Sequence, residues 1–169
     1  MTPPRPQRKS LMKSILAVSV LATGLMIGIH AAAPAGAAIT DRIVADPHTG
    51  LALYGFDPVG YFTDGGPVMG RTDLEYSFAG AIWRFRNEGN RAAFTDHPDV
   101  YMPRYGGYDS VSIGRGLAIP GHPDLWIMVE SHVYLFASPA SREAFAADPP
   151  GKIAAASAKW LQLKRTMLP

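Results

Sequence analysis

The stretch Glu75-Tyr76-Ser77-Phe78-Ala79-Gly80-Ala81-Ile82-Trp83-Arg84-Phe85 decides how the chain folds. Its first five residues alternate polar and apolar, the pattern of a half-buried strand. Gly80 supplies a tight turn, and Ile82–Phe85 alternates again, so the stretch reads as a hairpin. Asn87 then caps a helix through its side-chain carbonyl. That helix carries Ala92, Ala93 and Phe94 and stops near His97-Pro98, because the residue before a proline is pushed out of helical conformation.

The same unit recurs 51 residues further on, without a gap. Gly65, Gly70, Asp73 and Leu74 fall on Gly116, Gly121, Asp124 and Leu125. Phe85, Arg91, Ala93, Phe94 and Pro98 fall on Phe136, Arg142, Ala144, Phe145 and Pro149. Nine identities in 34 aligned positions mark an internal duplication, with copies over about 65–103 and 116–164. The second copy predicts strands over Leu125–Glu130 and Val133–Ala137 with a turn at Ser131-His132. Ser138 caps its helix, and Pro139 takes the first helical position, where a missing N–H does no harm.

Each helix is followed by another proline-led start, at Pro98 and at Pro149-Pro150. Pro103 keeps the first short. The second runs to about Lys164, with Ile153, Ala156, Trp160 and Leu163 at helical spacing and Lys159, Lys164 and Arg165 suited to its C-terminal end. Ahead of the first copy, Asp57-Pro58-Val59-Gly60-Tyr61-Phe62 reads as a short capped helix. Between the copies, Tyr105-Gly106-Gly107-Tyr108-Asp109 is a glycine turn leading into Ser110–Ile113. The predicted class is α+β: two tandem ββα units, each an antiparallel hairpin followed by a helix, sharing one core and ending in a C-terminal helix.

Upstream, the composition changes near residue 38. Arg5, Arg8, Lys9 and Lys13 precede an apolar run from Ser14 to Ile29 and a small-residue exit, Ala31 to Ala38. These are the parts of a secretory signal peptide, so residues 1–37 are expected to be a leader cleaved after Ala37, with residues 38–169 as the folded domain. The alternative is a retained anchor. A spanning helix wants about 20 apolar residues, and the run has 16, so no stable membrane insertion is expected after cleavage. Arg8-Lys9 is not a true arginine pair, which favours the general export route over the twin-arginine one. The expected location is periplasmic or secreted.

Beyond Ala37 there remain 12 Lys and Arg against 14 Asp and Glu, a net charge of −2. No basic stripe is left for a nucleic acid, and that class is excluded. The chain has no cysteine, so a domain of about 130 residues must hold together by burial alone, without disulfides.

The combination Gly55-Phe-Asp-Pro-Val-Gly-Tyr-Phe62, Trp83-Arg-Phe85, Asn90-Arg91-Ala-Ala-Phe94, Pro98, Tyr101, Pro103 and Tyr105-Gly-Gly-Tyr108 resembles the YHS domain family, in its exported branch. Trp126-Ile127, Tyr134-Leu135, Ile153 and Trp160-Leu161 are similar to the tail of that branch. The resemblance covers roughly residues 53–163. It implies binding of heavy metal ions, copper above all, through cysteines in patterns like D-P-V-C and F-C-x-x-x-C. Here those positions hold Gly60, Arg86 and Asn90, with Ala137 and Ser141 in the second copy. Where the branch often has a cysteine after Gly-Gly-Tyr, this chain has Asp109. Soft metals need soft ligands, so the family's own residues do not carry that activity over.

Three chemistries remain to be weighed. Asp57, Tyr61, Tyr105, Tyr108 and Asp109 form a candidate site for a small polar ligand or a hard cation, if the two acids face one cleft. The bland alternative makes Asp57 a cap, Asp109 a turn residue and the tyrosines core or rim. A copper ion as cofactor could instead use Met and His, with His97, Met102 and His132 as candidate ligands among His48, His122, Met69, Met128 and Met167. Against it, no two His stand four apart, and Met residues commonly fill core gaps. For catalysis, Ser110 and Ser112 stand near Asp109, but no G-x-S-x-G elbow is present. Arg91 and Arg142 hold the same place in both copies, as an anion pair or as structural guanidinium groups. The expectation is a non-enzymatic binding or accessory module for an unknown small ligand or protein. The alternatives are metal binding through Met and His, and a purely structural or protein-interaction domain.

Overall fold

The computed structural model describes Met1 and residues 42–167. The expected leader, Met1 apart, lies outside the described residues. Two hairpins, each followed by helices, and a long final helix give the predicted α+β architecture. The first copy holds α1 (Gly60–Thr63), β1 (Arg71–Phe78), β2 (Ala81–Phe85), α2 (Glu88–Asp96) and α3 (Pro98–Tyr101). The second holds α4 (Ser110–Gly114), β3 (His122–Val129), β4 (His132–Phe136), α5 (Pro139–Ala147) and α6 (Pro149–Lys164). Each hairpin is a separate two-stranded antiparallel sheet.

The starts of α2 and α5 are those the predicted caps set, and Asp148 caps α6 as well. Asn87 Oδ1 accepts from Asn90 N–H, Ser138 Oγ from Ser141 N–H, and Asp148 Oδ1 from Gly151 N–H. Each thereby satisfies one of the free N–H groups of a first helical turn. The hairpin turns are Ala79-Gly80 and Glu130-Ser131, with both central residues at positive φ in each. That geometry matches the twist of the flanking strands. The second turn thus sits one residue earlier than Ser131-His132, because neither Glu130 nor Ser131 is a glycine that would reveal it. A register shift of the same form interrupts both hairpins, between Arg71 and Glu75 and between His122 and Trp126.

The duplication reaches further back than residue 65. Leu53, Tyr54 and Gly55 have φ of 50°, 56° and 88°, and Tyr105, Gly106 and Gly107 have 55°, 64° and 88°. Asp57 N–H donates to Val68 O as Asp109 N–H donates to Ile119 O, each at 2.8 Å. Gly70 N–H donates to Gly55 O as Gly121 N–H donates to Gly107 O. The offset here is 52, not 51, since the first copy has one more residue between Asp57 and Gly65. An alignment without gaps stops at that point.

The core has two lobes, one per copy. Trp83, Phe85 and Phe94 anchor the first, and Phe136, Phe145 and Ile113 the second. They meet across β4, which gives Val133 and Leu135 to the first lobe and Tyr134 and Phe136 to the second. A strand covered on both faces must be apolar throughout. This is why Val133–Phe136 carries no counterpart of Arg84, which pairs with Glu75 at the rim of the first hairpin. The segment at residues 42–45 also joins the lobes: Ile43 packs in the first and Val44 in the second. Val44 N–H donates to Gly106 O, and Val44 O accepts from Leu53 N–H.

Candidate functional site

Asp57 and Asp109 are wholly buried. Asp57 Oδ1 accepts from Val59 N–H at 2.8 Å, and Oδ2 from Arg86 N–H at 2.8 Å and Asn90 Nδ2 at 2.7 Å. Asp109 Oδ1 accepts from Ser112 N–H and Oδ2 from Ala137 N–H, both at 2.8 Å. Arg86 and Ala137 are equivalent positions. The two acids are therefore one device in duplicate: a carboxylate that fixes the entry to a short helix and the exit of a hairpin within its own copy. Backbone donors occupy both oxygens of each, as buried charge requires. Both groups are buried, and each accepts from backbone N–H groups of its own copy, with Asn90 Nδ2 added at Asp57.

The tyrosines divide. Tyr61 is buried, donates from its hydroxyl to Pro123 O at 3.0 Å and meets the Trp126 ring edge-on at 5.4 Å. Burial, with a smaller contribution from Asp124, drives its phenol far above the ordinary range. Tyr108 is buried in the second lobe, its ring 6.3 Å from that of Trp160. Tyr105 donates to Ile153 O at 3.2 Å and shares a hydrogen bond with Ser157 Oγ at 3.1 Å. Its burial also raises its pKa.

Of the metal candidates, His97 is exposed and precedes α3 without a side-chain cap bond. Met102 packs against the first lobe, and His132 opens β4, half-buried. Met128 and Met167 belong to the two lobes, whereas Met69 is exposed. Among the described residues, no three His, Asp or Glu side chains gather as a metal would need. Ser110 and Ser112 are buried, and Ser110 Oγ has no hydrogen-bond partner. Arg91 pairs with Glu88, and Arg142 Nε donates to Trp126 O. Arg142 thus ties α5 to β3, whereas the Arg91 pair lies on the exposed surface of α2.

The chemistry left open lies elsewhere. A cleft of about 470 Å³ runs along the junction of the two copies. The first hairpin turn at Ala79-Gly80, Asp99 of α3, and Trp160 and Lys164 of α6 line it. Arg42 and the stretch Met102–Gly106 complete it. A smaller recess of about 280 Å³ shares Arg104, Tyr105, Trp160 and Lys164 with it. The Tyr105 and Trp160 rings stand 5.9 Å apart at 70°, forming an aromatic corner. Arg42, Arg104 and Lys164 bring three positive charges against the single carboxylate of Asp99. None of the three makes an ion pair among the described residues. Arg42 Nε is buried and makes no hydrogen bond.

No family model, no curated protein and no solved structure matches this chain. Of the five residues expected to form the ligand site, Tyr105 lines the cleft, as does Met102 of the metal candidates. Arg42, Arg104, Trp160 and Lys164 were not legible as site residues. They come from three separated segments, and in sequence Trp160 and Lys164 read fully as core spacing and helix-end charge. The equivalence of Asp57 and Asp109 did have a signal: Gly55-Phe56-Asp57 and Gly107-Tyr108-Asp109 align at an offset of 52.

Proposed function

We propose that this chain is an exported, YHS-like binding module without catalytic activity, and that its ligand is a small molecule held in the cleft between the copies. The cleft itself carries this reading. It has the size of small-molecule sites and mainly apolar walls, and it gathers three cations that make no ion pair among the described residues. The structure offers little to the metal alternative beyond Met102 and to the catalytic one beyond two buried serines.

A chemically varied small-molecule collection screened by melting temperature tests the proposal, since a ligand of the folded state raises it. Compounds that raise it should perturb the amide signals of Met102, Arg104 and Tyr105. Copper, zinc, calcium and magnesium belong in the same screen. A saturable rise with a metal ion alone, abolished by Asp109→Asn or by the pair His97→Ala and Met102→Leu, would replace the small-molecule reading with a metal one. No response to any compound would point to a structural or protein-contact role instead.

A further inference from the structure

We infer that the cleft selects an organic anion with a flat apolar body: the anionic head lies by Arg42 and Arg104, and the body sits in the corner of Trp160 and Tyr105. This rests on the small-molecule reading above and names the ligand class. Three observations support it independently.

The first is local charge. Residues 38–169 carry a net charge of −2, yet the cleft lining is positive by two. Of the twelve Lys and Arg beyond Ala37, Arg71, Arg84, Arg86 and Arg91 pair with carboxylates. Arg42, Arg104 and Lys164 do not, and they converge. The second is Arg42, half-buried in the cleft lining, whose guanidinium makes no ion pair among the described residues and carries an Nε–H without an acceptor. Such a group is destabilising unless something accepts from it, and a carboxylate or phosphate oxygen is the acceptor that suits a guanidinium best. The third is shape. The Tyr105 and Trp160 rings, inclined at 70°, both line the cleft and give a flat apolar guest aromatic surface to pack on edge-to-face or offset. Met102 adds an adaptable thioether beside them. A bare inorganic anion would use the charges and waste the corner; a neutral or cationic aromatic would use the corner and meet the charges unfavourably.

Isothermal calorimetry on the purified full chain distinguishes these. The probes are 2-naphthoate, 2-naphthylmethylamine, which has the same ring system and opposite charge, and acetate, which has the head without the body. The expected result is saturable one-site binding of 2-naphthoate, weakening as ionic strength rises, and no binding of the amine or acetate. Arg104 is exposed, so Arg104→Gln should keep the melting temperature and weaken 2-naphthoate about tenfold, the loss of one charge-assisted hydrogen bond. Lys164→Gln should act in the same direction, and Trp160→Leu should weaken 2-naphthoate without creating amine binding. Binding of the amine as tight as that of the acid, or 2-naphthoate binding indifferent to Arg104→Gln, overturns the anion assignment and leaves the cleft a small-molecule site. Absence of 2-naphthoate binding while other compounds in the screen perturb the cleft amides also overturns the assignment alone. Absence of both overturns the small-molecule reading with it.

Discussion

Single residues in this protein are constrained by what presses on them, and the duplication provides internal controls. Tyr54 and Gly106 occupy the same left-handed position in the two copies. Tyr54 is exposed and tolerated there, whereas a Cβ on Gly106 would collide with the carbonyl oxygen of Arg42. Gly106→Ala should therefore destabilise the fold by about 1–3 kcal/mol, the usual range for forced overpacking. Tyr54→Ala should change it by less than about 1 kcal/mol. Urea midpoints compare the two directly. The acids give a second comparison. Asp57 holds three donors and Asp109 two. Each buried donor left unsatisfied costs about 1–3 kcal/mol, so Asp57→Ala should lower stability more than Asp109→Ala, with both losing at least about 2 kcal/mol. Equal and negligible losses would show that these carboxylates do not hold the turns. At this scale the sequence was informative where a residue type has one main use. Asn87 and Ser138 announced themselves as caps. It was silent at Glu130 and Ser131, whose positive φ is imposed by the hairpin and not favoured by either side chain.

Elements are legible when one face is covered and less so when two are. β2 alternates because one side meets Phe94 and its neighbours and the other is only half-covered; β4 does not, because both lobes claim it. Periodicity placed the first hairpin and α6, the repeat placed the second hairpin, and the unbroken apolar run Val133–Phe136 is the one sign that β4 would divide the core. Between elements, Tyr61 is the clearest polar link: a side chain of α1 bonded to the carbonyl of Pro123 in β3. Its phenol, and that of Tyr105, are held protonated by burial. Below about pH 10 both the folded and unfolded chains keep the proton, and the full stabilisation is present. Above that, the unfolded chain releases it first, so stability falls as pH climbs toward the raised folded-state value. Urea midpoints at successive alkaline pH values should show this decline, and Tyr61→Phe should make it shallower. Near neutrality the same variant should lose about 1 kcal/mol for the missing hydrogen bond.

At the level of the whole molecule, the two lobes should not unfold separately. β4 and residues 42–45 belong to both, so removing one lobe exposes apolar surface of the other. Trp83 reports on the first lobe and Trp160 on the second. In variants that keep one of these indoles, the urea transitions should coincide, as a single cooperative unit requires. Leu135→Ala, on the face of β4 toward the first lobe, should shift both by the same amount, with a loss of about 2–5 kcal/mol. Separate transitions would refute the shared strand as the source of cooperativity. The cleft is also a property of this level. It exists only where two copies abut, which explains why no local motif disclosed it.

Residues 42–45 complete both lobes although they precede every helix and strand of the two copies. Their partner Gly106 and the strand beside them, up to Phe136, are synthesised roughly 60–90 residues later. A chain emerging from the ribosome therefore cannot finish folding until most of it has come through, and final closure waits for the second hairpin to be made.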